Sequence, residues 1–184
     1  MKTFSDIPIF PLKSIILPGG QFPLRIFERR YLDMTRDCLK YNSGFVIALT
    51  KTDSEYISSV YDYACYVEIV DWSQLDGGLL GITVEGKKIV KLDDYSLNDS
   101  NLLIGDAVEI NIGVDYLIPQ KYQILSKFYK KIYPEIKAYI FHINPKYNDA
   151  NWLGFRLIEC LPIELDDKAD LISMQEPLDR LERI

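Results

Sequence analysis

The stretch from Leu17 to Met34 reads LPGGQFPLRIFERRYLDM, and its reading decides the fold. Leu17-Pro18-Gly19-Gly20 is a turn signal, because paired glycines permit backbone angles that other residues resist. Phe22, Leu24 and Ile26 then alternate with Pro23, Arg25 and Phe27, as in a strand with one apolar face. Proline in such a pattern places the strand at a sheet edge or a bulge. From about Glu28 to Tyr41 the period changes. Tyr31, Met34, Cys38 and Tyr41 recur at helical spacing, Glu28 suits the positive end of the helix dipole, and Asn42-Ser43-Gly44 supplies the stop. An Arg25–Glu28 ion pair is expected at the strand-to-helix corner.

Outward from this stretch, strands dominate the front of the chain. Ile7 to Leu12 is a short apolar segment broken by proline, and Gly44 to Lys51 contains FVIALT. Cys65, Val67 and Ile69 alternate with Tyr66 and Glu68, and Val108, Ile110 and Ile112 alternate with Glu109 and Asn111, as half-buried antiparallel strands do. Asp76-Gly77-Gly78 and Glu85-Gly86 read as hairpin turns, and Asp93 to Asn101 as a polar loop. Many short strands with glycine-rich turns predict a barrel or a sandwich. After about Asp115 the pattern turns helical. Helices are expected over Leu117 to Tyr133, over Asp149 to Leu161 where apolar residues run nearly all round, from a cap at Asp166 or Asp167 to about Met174, and from Pro177 onward. The division is thus a β-rich part over 1–115 and a helical part over 116–184.

Composition narrows the function classes. With 48% apolar residues among 184, the chain can build a full core. A net charge of −6 argues against general nucleic-acid binding, which needs many phosphate-neutralising cations. Cys38, Cys65 and Cys160 lie too far apart for metal-ligand or redox motifs and fit reduced core residues in a cytoplasm. The start, MKTFSDIPIFPLKS, has no uninterrupted apolar run of signal-peptide length, and no segment approaches the roughly 20 apolar residues that span a bilayer. The sequon-like Asn98-Asp99-Ser100 therefore carries no message.

Catalytic patterns are missing. Gly81 to Lys88, GITVEGKK, has a lysine where a phosphate loop needs Ser or Thr, and Ile82-Thr83-Val84 reads as a strand. The single histidine, His142, lies among the apolar Tyr139, Ile140, Phe141 and Ile143 and reads as a structural or surface histidine. No serine sits in GxSxG. The adjacent pairs Asp93-Asp94 and Asp166-Asp167 diverge on a strand or a helix, which suits solvent and caps better than acid/base work. No cofactor, no metal and no catalytic residue is expected.

Five segments, in order, resemble the N-terminal, substrate-recognition domain of Lon-type ATP-dependent proteases. They are Ile9-Phe10-Pro11-Leu12; Leu17 to Met34; Gly78 to Gly86, GLLGITVEG; Trp152 to Ile163, WLGFRLIECLPI; and Lys168 to Ile184, KADLISMQEPLDRLERI. The resemblance implies an α+β fold: a PUA-like antiparallel β-barrel with one inserted helix, followed by a C-terminal helical bundle, together one Lon N-terminal domain. It implies a non-catalytic module, without ATPase or protease, that binds unfolded or degron-bearing proteins and peptides as an adaptor or a holdase. PUA-like barrels that bind RNA supply a weaker alternative, and an unrecognised small-molecule site another.

The candidate peptide-binding residues come from the signature stretch. Phe22, Phe27 and Tyr31 are expected to border an apolar groove, with Arg25 as its polar anchor. The competing reading is architectural, since turn glycines and packed aromatics commonly serve the fold. Lys121, Lys127, Lys130, Lys131 and Lys137 make one helical region basic, either a solvated face or a docking surface. The tail from Glu176 to Ile184, with Leu178 and Leu181 on one face, is expected to pack on the bundle or to mediate homo-oligomer formation.

Overall fold

The computed structural model describes residues 2–51, 59–113, 116–137, 141–142 and 144–184. The expected change of period at Asp115, and Tyr139, Ile140 and Ile143 beside His142, lie outside them.

Six strands and five helices make a mixed α+β fold among the described residues. In chain order they are β1 (Thr3–Leu12), β2 (Gln21–Ile26), α1 (Arg29–Tyr41), β3 (Phe45–Leu49), β4 (Tyr63–Gln74), β5 (Leu80–Leu97) and β6 (Leu103–Glu109). Then come α2 (Gln123–Ile136), α3 (Ala150–Cys160), α4 (Leu165–Ser173) and α5 (Pro177–Arg183). The sheet order is β2-β5-β4-β3-β1-β6, and the long β5 also pairs with β6. Pairing therefore runs from β5 through β4, β3, β1 and β6 back to β5, with β2 attached outside this circuit. The β-part is not wholly antiparallel, because β1 runs parallel to β3, with Ile9 opposite Val46 and Leu12 opposite Leu49. A parallel pair needs a long crossover, and β2 with α1 forms it.

The signature stretch folds as its periods predict. Leu24 and Ile26 are buried, Phe22 is half-buried, and Pro23, Arg25 and Phe27 are turned outward. Tyr31, Met34 and Cys38 of α1 pack on the same apolar cluster as Leu24 and Ile26. Asn42 ends α1 in the left-handed conformation. The corner ion pair differs from expectation: Glu28 pairs with Arg30 at 2.7 Å, a neighbour on the first turn of α1.

Other departures have local causes. Glu85-Gly86 is no hairpin but the middle of β5, where Glu85 pairs with Gln21 and with Glu68. Gly86 is there because a Cβ would lie 2.3 Å from the carbonyl oxygen of Leu17. The polar run after Asp93 continues β5 to Leu97, since exposed strand residues need no apolar signal. The helix expected from Leu117 starts instead at Gln123, because Leu117 bridges Asp149 and the Ile118 amide donates to the Asn148 carbonyl. That helix runs past Tyr133 to Ile136 through Pro134, which has no N–H to donate to the Lys130 carbonyl one turn back. Asp166 and Asp167 lie in the first turn of α4, and Glu164 takes the N-cap position.

An apolar cluster joins the two halves of the chain. Ile15 and Leu17 after β1, Leu49 and Ile89 of the sheet, and Phe155, Ile158, Leu171 and Ile172 of the helices share one buried core. A second cluster around Tyr129, Trp152, Leu153 and Leu181 holds the helices together. Helix α3 lies at the centre of both, which is why nine of its eleven residues are buried.

Candidate functional site

The segment between β1 and β2 is clasped by α3. Gly19 adopts φ +83°, which glycine tolerates without strain. Its turn brings the backbone of Leu17 and Pro18 onto two charged side chains of α3. The Leu17 amide donates to Glu159 Oε1 at 2.7 Å. Arg156 Nη2 donates to the carbonyls of Leu17 (3.0 Å) and Pro18 (3.2 Å) and to Glu159 Oε1 (2.8 Å). The Arg156 and Glu159 side chains are 0% and 4% exposed, so this is a buried ion pair whose hydrogen bonds run to the turn. A Cβ at Gly20 would meet Glu159 Oε1 at 2.8 Å, so the ion pair would have to shift to admit one.

The electrostatics follow from burial. Desolvation pushes the Glu159 carboxyl up to about 7 against the pull of Arg156. Desolvation, with the Arg156 charge acting in the same sense, lowers His142 to about 4. His142 lies in an aromatic nest, stacked on Tyr133 at 4.3 Å and edge-on to Trp152 at 4.8 Å. Among the described residues, Tyr129 Oη, both His142 ring nitrogens, Trp152 Nε1, Arg156 Nε and Nη1, and Glu159 Oε2 are buried and find no hydrogen-bond partner. His142 is buried among these rings, 5% exposed.

Two cavities flank the clasped turn. One, of about 370 Å³, lies between Gly19, Gln21 and Glu85 on the sheet side and Asp149, Asn151 and Trp152 at the start of α3. The other, of about 400 Å³, has an apolar wall of Ile15, Ile16, Phe22 and Ile136. Its polar groups are Lys13, Ser14, Gln21, Glu159 and Lys168, with Cys160 beside them. Burial lowers the Lys168 ammonium below its ordinary range and lifts the Cys160 thiol to about 11. A thiol held up in this way is a poor nucleophile at neutral pH.

The four candidate residues do not form one patch. Phe22 faces inward and lines the second cavity. Arg25 and Phe27 face outward, and Phe27 is 69% exposed. Tyr31 is buried against Phe10, with ring centroids 4.2 Å apart. Sequence reading missed Arg156, Glu159 and Lys168. A signal was present: Arg156 and Glu159 are charged residues three apart on a helix that is otherwise apolar nearly all round. Two of the five lysines of the basic region are engaged within the chain: Lys121 pairs with Glu182 at 2.7 Å, and Lys130 lies over the Tyr147 ring.

Comparison with known proteins gives this geometry a family. The model of the ATP-dependent protease La (LON) substrate-binding domain matches residues 6–184, from β1 to the end of α5. The chain belongs to the Lon substrate-binding domain family. Lon protease 3 of Sorangium cellulosum (strain So ce56) is 25% identical over 191 aligned residues, covering 97% of this chain and 22% of that protein. Lon protease of Vibrio parahaemolyticus serotype O3:K6 (strain RIMD 2210633) is 22% identical over 189, covering 96% and 24%. The chain thus spans about a quarter of the length of the curated relatives it matches. The crystal structure of a Lon N-terminal domain protein from Xanthomonas campestris superposes with a TM-score of 0.81 at 26% identity, covering 100% of this chain and 96% of that one. The N-terminal domain of the Mycobacterium avium complex Lon protease gives 0.64 at 16% identity over 98% and 95%, a likeness of fold. Turn, clasp and cavities therefore sit in a Lon N-terminal domain fold. No helix among the described residues is long and apolar enough to cross a membrane.

Proposed function

We propose that this Lon-family domain is a non-catalytic module that binds exposed segments of unfolded or degron-bearing proteins in the cytoplasm. The observation that carries this reading is the family match, which runs through every element of the fold. We read the circuit of strands as a PUA-like barrel over 1–115 and the helices as a bundle over 116–184, acting as one unit through their shared core. Contact with peptide is assigned to the outward Phe27 and Arg25 and to the cavity lined by Phe22, with Tyr31 holding the start of α1 beneath them. An exposed aromatic and a cation on one face of β2 and its end, and an apolar cavity on the other, offer short hydrophobic segments a stacking surface with a polar anchor and, separately, a pocket. Nucleic acid is the less favoured partner at a net charge of −6.

The test is titration of the intact chain with a permanently unfolded protein and an array of aromatic-rich peptides, read by fluorescence anisotropy. Saturable binding that weakens in Phe27→Ala is expected. Absence of saturable binding across the array would overturn the proposal.

A further inference from the structure

The cavity lined by Phe22 has a charge imbalance that the clasp does not absorb. Glu159 is the one carboxylate in the lining; it is paired with Arg156 at 2.8 Å and also acts electrostatically on Lys168, so one anion is shared between two cations. That leaves an excess of positive charge, from Lys13 and Lys168, at a pocket in a chain whose net charge is −6. Among the described residues, neither lysine has a carboxylate within ion-pair distance. The Lys168 ammonium donates only to the Glu159 backbone carbonyl, at a long 3.4 Å. Half-buried cations ordinarily find a counter-charge, because desolvation without one is costly. The apolar part of the wall is formed by Ile15, Ile16, Phe22 and Ile136. Its volume of about 400 Å³ is at the small end for ligand sites. That suits the last one or two residues of a chain entering end-on better than a segment that must enter and leave.

We propose that this cavity binds the free C-terminus of a substrate polypeptide, the final apolar side chain seated against Ile16 and Phe22 and the terminal carboxylate held by Lys168 and Lys13. The assignment rests on the substrate-binding reading above and specifies one class of segment for it. The occupant follows from charge complementarity: an anion that is also apolar, on a thin extended stem. Lys168 supplies the buried, directional contact, and Lys13 at the exposed rim supplies longer-range attraction. No covalent step is involved.

The experiment uses the intact chain and fluorescein-labelled decapeptides with a Gly/Ser body ending in Phe-Leu. One peptide carries a free carboxylate, a second a C-terminal amide, and a third an amide with an internal Asp. Losing one charge-assisted contact is worth roughly ten- to hundredfold in affinity. The acid is therefore expected to bind at least about tenfold tighter than either amide. Lys168→Gln should erase that preference, and Lys13→Gln should reduce it most at low salt. Circular dichroism of each variant controls for folding, and Lys13→Gln, at an exposed site, serves as the second variant if Lys168→Gln does not fold. Equal binding of acid and amide overturns the proposal. So does an Asp peptide that binds as well as the acid, since the carboxylate then need not be terminal. If no decapeptide binds, the proposal fails, and titration with a permanently unfolded protein decides separately whether the substrate-binding reading survives.

Discussion

Burial acts with opposite signs on Glu159 and His142, because it disfavours whichever form is charged. Glu159 rises from its ordinary 4.5 to about 7 in the folded state. The folded protein then holds a proton that the unfolded chain releases, so this residue's contribution to stability is fully present below 4.5 and lost as pH rises through about 7. His142 falls from 6.5 to about 4. Its contribution is fully present above 6.5 and lost as pH falls through about 4. Between these limits the two slopes oppose each other in the intact chain. His142→Phe should therefore leave a protein whose stability declines from pH 4.5 to 7, and Glu159→Gln one whose stability climbs from pH 4 to 6.5. Urea denaturation midpoints across that range check both, and two parallel profiles would contradict the assignment. That the lone histidine sits among apolar residues was legible in the sequence. The carboxylate was not, since its burial depends on a turn that lies 142 residues earlier in the chain.

At the scale of elements, α3 and β5 carry constraints that local patterns show only in part. Periodicity places α1, α3 and α5 closely, because each has an apolar stripe and a recognisable end. It misplaces the start of α2, where Leu117 and Ile118 form extended contacts with 148–149, and it breaks β5 at Gly86. A glycine kept for backbone contact is spelled like a turn glycine. Gly86→Ala would drive a Cβ to 2.3 Å from the Leu17 carbonyl, and neither backbone can yield without moving the turn. A loss of about 3 kcal/mol, at the upper end for overpacking, is expected by chemical denaturation. Arg180 of α5 is a similar hidden constraint. It is fully buried and donates to the carbonyls of Leu171 and Met174 and to Asn151 Oδ1, tying α5 to α3 and α4. Arg180→Met keeps the volume but strands three acceptors, and each buried unsatisfied group costs roughly 1–3 kcal/mol. A fall of at least about 3 kcal/mol is expected, with the α5 amides losing hydrogen-exchange protection first.

At the scale of the whole molecule, the order of β-part and helical part was readable from the change of period, and the family from five segments. The parallel β1–β3 pair was not, because strand direction is set by connectivity in space and not by alternation. Nor were the cavities, whose walls come from segments far apart in the chain. The exposed residues of the signature make a separable prediction. Phe27 is 69% exposed, so Phe27→Ala should leave the thermal midpoint within about 2 °C while weakening peptide binding several-fold. The clasp, finally, bears on how the chain is made. Leu17 and its partner Glu159 are separated by 142 residues. A ribosome adding about 5–20 residues per second exposes the turn roughly 7–30 s before its partner exists. During that interval the Leu17–Pro18 carbonyls have no guanidinium to receive, and the apolar faces of Ile15 and Leu17 have no helix to lie under. The nascent β-part is therefore an incomplete body awaiting α3, and a ribosome stalled before Arg156 should display a protease-sensitive N-terminal segment that becomes resistant once α3 emerges.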